Sequence, residues 1–169
     1  MKKFLLIAAI LVLPLTGECR PQKQKAVNSV RISAIISEFR GYEGVETVRV
    51  GRLGTAALKG AIRVSAAGDP ESKEILEGIK GMKSFIVFDF EDAAPSVKER
   101  INSKLSRALD GVELLMEVKD GEDAMKMYGV CSDDGGKISD FILHSPSDCA
   151  LICVFGAVSA DIISTIAND

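Results

Sequence analysis

The residue types best suited to chemistry lie around the single histidine, His144. Ser147 and Asp148 follow it closely, so a nucleophile, a base and an acid stand within one short segment. A hydrolytic triad needs the base held between the nucleophile and the orienting acid, each within hydrogen-bond reach. Neighbours on one tight turn rarely meet that geometry. The pattern therefore predicts a surface or turn histidine, and no catalytic residue.

The cysteines that follow His144 are the next candidates. Cys149 and Cys153 are four positions apart in an apolar run that is typical of a strand, and four residues of strand span ~13 Å. That distance exceeds the ~7 Å limit between the Cα atoms of a disulfide. It also prevents one ion from binding His144 and both thiolates, because Zn–S bonds are ~2.3 Å long. We predict that these cysteines and Cys131 are structural thiols without a disulfide, metal or catalytic role.

Three acids, Asp89, Glu91 and Asp92, follow the apolar segment Ser84 to Phe90. They could bind a hard cation or supply a catalytic carboxylate pair. The favoured interpretation is a solvated strand end, and an envelope hydrolase that uses the acids near Asp89–Asp92 is the alternative. No cofactor or metal ligand is predicted.

The amino terminus resembles an export signal. Lys2 and Lys3 precede the 12-residue apolar run Phe4 to Leu15, whose length falls within the ~7–15 residues of a signal peptide and below the ~20 residues of a membrane span. Glu18 stands before Cys19, whereas lipoprotein signals place a small residue there. Cleavage after Gly17, cleavage after Cys19, and lipidation of Cys19 as an anchor therefore remain open. We expect an exported protein of the periplasm or cell envelope.

Composition and charge limit the class of protein and the partners it can bind. The chain has 169 residues, is 47% hydrophobic and carries a formal net charge of −3, which fits one globular domain. An acidic chain repels a phosphate backbone, so nucleic acid is excluded as a partner. The domains predicted are a signal peptide (1–19), a linker (20–26) and one domain (27–169).

Periodicity and turn residues predict an α+β fold, an antiparallel meander-containing sheet with helices packed against it. Four strands in quick succession, separated by Gly-containing turns, form the meander. Ser84 to Phe90 is apolar on nearly both sides and predicts a central strand. Helices are predicted over Val27 to Phe39, briefly around Thr55 to Leu58, from Pro70, from Pro95 and after Ser159. A separate strand is predicted over Val45 to Val50. The four strands of the meander are predicted over Val112–Val118, Ala124–Cys131, Ile138–His144 and Cys149–Phe155.

Four segments in this order resemble the domain-of-unknown-function family 4252 (DUF4252). They are Gly-Met-Lys-Ser-Phe-Ile-Val-Phe-Asp-Phe-Glu (81–91), Glu-Leu-Leu-Met-Glu-Val-Lys-Asp-Gly (113–121), Gly-Gly-Lys-Ile-Ser-Asp-Phe-Ile-Leu (135–143) and Ala-Asp-Ile-Ile-Ser (160–164). The resemblance extends from about Val27 to Ala167. It implies a short exported envelope protein of a Gram-negative bacterium, often lipidated, with no established activity. Family genes that neighbour extracytoplasmic sigma-factor genes imply a role in envelope stress signalling.

The functional expectation is a non-enzymatic binding or regulatory module of the cell envelope. Its partner would be an unidentified envelope protein or a small ligand, bound through the sheet or the 51–68 segment. Contact with a membrane is expected only through a lipid anchor at Cys19.

Overall fold

The computed structural model describes residues 27–65, 70–120, 123–132 and 135–160. The predicted signal peptide, the linker and the helix predicted after Ser159 lie outside these residues. Helices and strands follow in the order α1 (Ser29–Phe39), β1 (Glu46–Val50), α2 (Arg52–Ser65), α3 (Pro70–Gly78), β2 (Met82–Asp89), α4 (Pro95–Leu109), β3 (Leu114–Asp120), β4 (Asp123–Cys131), β5 (Lys137–Ser145) and β6 (Ala150–Ser159).

The six strands form one antiparallel sheet in the order β1-β2-β6-β5-β4-β3. The predicted meander is confirmed, because β3 to β6 pair with their neighbours in sequence. β2 lies between β1 and β6, so it is an inner strand as its apolar composition predicted. The α+β architecture is therefore confirmed.

Helices α1 and α4 cover the first side of the sheet and pack against each other. Asn28 begins α1, because its Oδ1 accepts a hydrogen bond from the backbone N–H of Arg31 at 3.0 Å and so satisfies one free donor of the first turn. Pro95 begins α4 at a position where its missing N–H costs nothing. Both helices direct an apolar stripe inward onto Phe88, Phe90 and Leu151, each fully buried.

The second side of the sheet is also apolar. One residue from each strand forms a row across it, because each pair is aligned in register: Val48, Val87, Ile152, Leu143, Met127 and Met116. Helix α2 packs on β1 and β2, and α3 packs on α2 and β6. Helices therefore lie on both sides of the sheet, and each side has an apolar cluster.

A register shift distorts β5 and β6 at Asp140. Asp140 has a positive φ of 51°, and Gly156 opposite has a φ of 99°. The Gly156 N–H donates to Asp140 Oδ1 at 3.1 Å, which holds the bulge together. The shift places Ile138 on the second side, where it is buried with Met82 and Val158.

Helix α2 is longer than the short helix predicted around Thr55 to Leu58. It begins before Gly54 and continues through Gly60, because alanine, leucine and lysine between and beyond these glycines favour helix. Among the described residues, no helix is both long enough and apolar enough to cross a membrane.

Candidate functional site

His144 is buried, so the prediction of a surface or turn histidine is wrong. Only 2% of the residue is exposed. It lies in β5 two residues after Ile142, and strand alternation therefore directs it to the first side of the sheet. There its Nε2 is 3.2 Å from Oδ1 of Asn102, which belongs to α4.

Asn102 determines how the imidazole is held. Its Nδ2 donates to the carbonyl oxygen of Pro146 at 3.2 Å, which leaves Oδ1 to accept from Nε2–H of His144. Burial, and secondarily the positive charge of Lys126, lowers the pKa of His144 to about 4. The imidazole is therefore neutral at pH 7. Sequence reasoning missed Asn102, although a polar residue beside the buried stripe of Ile101 and Leu105 was its available signal.

The other polar groups of the turn are paired among themselves. Ser145 Oγ donates to Asp148 Oδ2 at 2.6 Å, and Ser147 is exposed. The serine–acid bond bypasses His144, whose Nε2 is bonded to Asn102. This arrangement holds the turn between β5 and β6 in shape and does not assemble the nucleophile, base and acid of a triad.

The acids that follow β2 lie beside this turn. The Phe90 N–H donates to the carbonyl oxygen of Cys149 at 2.9 Å, which links the two segments. Asp89 Oδ1 accepts from the backbone N–H of Glu91 at 2.9 Å, and both Glu91 and Asp92 are exposed. The geometry is that of a hydrogen-bonded strand end with Glu91 and Asp92 exposed to solvent.

Among the described residues, Cys149 and Cys153 are free thiols, and both are buried. Burial, opposed by Lys98 and reinforced by nearby acids, raises the pKa of Cys149. Burial also raises the pKa of Cys153 to about 12, against the opposing charge of Arg49. Thiols rather than thiolates are present at neutral pH, and the thiol is a poor nucleophile and ligand.

The expectation for Cys131 is wrong, because this cysteine is disulfide-bonded. The prediction of free thiols stays correct for Cys149 and Cys153. Within the part of the chain that the structure describes, no three histidine, cysteine, aspartate or glutamate residues are grouped as a metal site would require.

A second candidate site is the outer side of α2. Leu53 is 89% exposed and Val64 is 79% exposed. With Ala57 and Ala61 between them, these residues have the spacing that places side chains on one side of a helix. We call Leu53, Ala57, Ala61 and Val64, with Arg52 and Arg63 beside them, the α2 surface.

The opposite side of α2 is fixed to the rest of the domain. Thr55 is 2% exposed. Lys59 Nζ donates to the carbonyl oxygens of Lys80 and Met82, at 2.8 and 2.7 Å. The helix is therefore docked through one side and presents its apolar outer side to solvent.

The charges of this region are all basic. From Thr47 to Gly68 the sequence contains Arg49, Arg52, Lys59 and Arg63 and no acid. The hydrogen bonds of Lys59 direct its charge inward. Arg52 and Arg63 are exposed and form no ion pair with the described residues. The α2 surface is thus apolar with a positive margin, in a chain whose net charge is −3.

These features define a small α+β domain whose polar side chains stabilise turns and whose helix α2 carries the two most exposed large apolar residues of the described chain, Leu53 and Val64. The model of the family described as "Domain of unknown function (DUF4252)" matches residues 40–163. The chain belongs to this family, which confirms the resemblance seen in the sequence. No curated protein and no solved structure is significantly similar to the chain.

Proposed function

We propose that this protein is an exported cell-envelope protein that acts as a non-enzymatic binding module, with the α2 surface as its binding surface. The observation that carries the proposal is the exposure of Leu53 and Val64 on one side of a docked helix. Single exposed apolar residues are common on protein surfaces, whereas apolar residues gathered in a patch mark interaction sites.

The state of the polar side chains supports a non-enzymatic role. His144 is neutral and bonded to Asn102. Burial raises the pKa of both free thiols, which therefore stay protonated. The envelope hydrolase has weaker support, because Glu91 and Asp92 are exposed rather than enclosed in a cleft, where catalytic carboxylates usually lie. Reproducible turnover of common hydrolase substrates by the purified protein would contradict the proposal.

Photo-cross-linking in the native host tests the binding surface. A benzoylphenylalanine is placed at Leu53, at Val64, or at Val30 as the matched control, because Val30 is 77% exposed on α1. We expect adducts at positions 53 and 64 and none at position 30. Equal adducts at all three positions, or none at 53 and 64, would contradict the assignment of the surface.

Export is supported by the charged and apolar residues of the first 19 positions. The mature protein is expected to lack Met1 to at least Gly17. Its intact mass in the native host tests this, and a mass equal to the full chain would refute export. A mass increment of two or three acyl chains on a protein that begins at Cys19 would establish the lipid anchor.

The regulatory role in envelope stress signalling rests on the family resemblance alone. Its test is deletion of the gene, followed by measurement of sigma-factor-dependent transcripts under envelope stress. Unchanged transcripts would remove the regulatory role and leave the binding role in place.

A further inference from the structure

We propose that the α2 surface binds the surface of an anionic lipid bilayer, with the helix lying parallel to the membrane plane. This inference rests on the proposed function and names its partner. The membrane contact would be made by the domain itself and does not depend on a lipid anchor at Cys19.

The apolar part of the surface has the form that an interfacial helix requires. Leu53 and Val64 are 11 positions apart, which corresponds to ~16 Å along a helix. Both side chains project into solvent, because Leu53 is 89% and Val64 is 79% exposed. Helices at membrane surfaces place such side chains at the boundary between headgroups and acyl chains. Ala57 and Ala61 lie between them and have small side chains, so the helix backbone can lie close to that boundary.

The charged part of the surface complements anionic headgroups. Arg52 and Arg63 are close together on the helical wheel, on one flank of the apolar side, and both are exposed. Guanidinium groups bind phosphate oxygens through two parallel hydrogen bonds, and basic residues near an anionic membrane are attracted to it. The segment from Thr47 to Gly68 contains no acid, so no carboxylate of this segment repels the headgroups.

The helix is already formed and docked before it meets a partner. Lys59 Nζ donates hydrogen bonds to the carbonyl oxygens of Lys80 and Met82, and Thr55 on the docked side of the helix is buried. A bilayer requires only projecting apolar side chains with cations beside them, and it accepts them without a matching shape. A protein partner would require a surface shaped to the side chains of Leu53 and Val64, whereas the exposed Arg52 and Arg63 beside them complement anionic headgroups and favour the bilayer.

Tryptophan fluorescence provides the test, because the chain contains no Trp. The unacylated protein is expressed without residues 1–17 and carries Leu53→Trp, Val64→Trp or, as the matched control, Val30→Trp. Each is titrated with vesicles of phosphatidylglycerol and phosphatidylcholine in equal amounts, and with vesicles of phosphatidylcholine alone. We expect a blue shift of the emission at positions 53 and 64 with the anionic vesicles only, and its loss in molar salt.

Charge variants in the Leu53→Trp protein test the arginines. Arg52→Gln with Arg63→Gln should weaken binding to the anionic vesicles by about 30-fold, since each basic residue contributes roughly fivefold near such a surface. Arg40→Gln with Arg107→Gln removes the same charge elsewhere on the exposed surface and should leave binding within about twofold. Far-UV circular dichroism and the unfolding midpoint confirm that each variant is folded.

The outcomes separate the inference from the proposed function. An absent blue shift, an equal shift with phosphatidylcholine, or an equal shift at position 30 would overturn the lipid inference. If photo-cross-linking at Leu53 nevertheless yields an adduct absent at Val30, the binding function stands with a protein partner. If neither method gives a signal specific to the α2 surface, both proposals fail.

Discussion

Protonation of His144 should make the stability of this protein depend on pH. The imidazole is buried and its pKa falls from 6.5 to about 4 on folding, through burial and the charge of Lys126. As the pH falls below 6.5, the unfolded chain binds a proton that the folded chain binds only near pH 4. The contribution of the neutral His144 to the free energy of unfolding is therefore fully present above pH 6.5, and it is lost as the pH falls towards 4.

The size of the effect follows from the two pKa values. Their difference corresponds to a total loss of about 3 kcal/mol in the free energy of unfolding once the pH lies below both pKa values. Between pH 7.5 and pH 5 the loss is about 2 kcal/mol. That is a large part of the ~5–15 kcal/mol that stabilises a domain. Because His144 is the single histidine, no other imidazole contributes. Ordinary carboxyl pKa values of ~4 lie below this range. Burial raises the pKa of Glu113, and a variant that alters only His144 keeps this carboxyl unchanged.

Urea unfolding, followed by far-UV circular dichroism at pH 7.5, 6.5, 5.5 and 5, measures this loss. His144→Gln is the control, because its amide can still donate to Asn102 Oδ1 but does not titrate in this range. The variant should unfold at nearly the same urea concentration from pH 7.5 to 5. The reasoning is refuted if the unaltered protein shows no loss over this range, or if the variant loses as much as the unaltered protein.

Three further changes test the core, the thiols and a turn. Phe88→Ala should lower the free energy of unfolding by about 3–5 kcal/mol, because Phe88 is fully buried; an unchanged urea midpoint would contradict its place in the core. Cys149 and Cys153 should react slowly with a thiol reagent in the folded protein and completely after denaturation without reductant; fast labelling of folded protein would reveal an activated thiol. Gly44→Ala should lower the thermal midpoint, because Gly44 has a φ of 74° and a Cβ there would meet backbone of the loop before α4. A midpoint equal to that of the exposed control Gly41→Ala, whose Cβ would have open space, would contradict this account.

Local patterns in the sequence predicted most of the fold. The stripe through Ile101, Leu105 and Leu109 and the proline at the start of α4 both act within a few residues, so the helix could be located without the rest of the molecule. The meander was predictable for the same reason, because each strand pairs with the next in sequence.

The errors came from interactions between distant residues. The burial of His144 depends on Asn102, which is 42 positions away on α4, and the local sequence after Ile142 resembles an exposed turn. The length of α2 was missed because Gly54 and Gly60 are weak helix formers. Contacts of Lys59 with residues that follow α3 hold this helix in place, and sequence periodicity does not reveal such contacts.

The place of β6 in the sheet has a consequence for how the chain folds. β6 is the last of the described strands in the sequence, yet it joins the β1–β2 pair to the β3–β4–β5 meander. Leu151 of β6 pairs with Phe88 of β2, which is far away in sequence. Pairing of that kind is slow because a long loop must close first. The sheet cannot become continuous until β6 has been made. Such an order of assembly would keep a newly made chain unfolded for longer, because its two sheet fragments stay separate until β6 pairs with both.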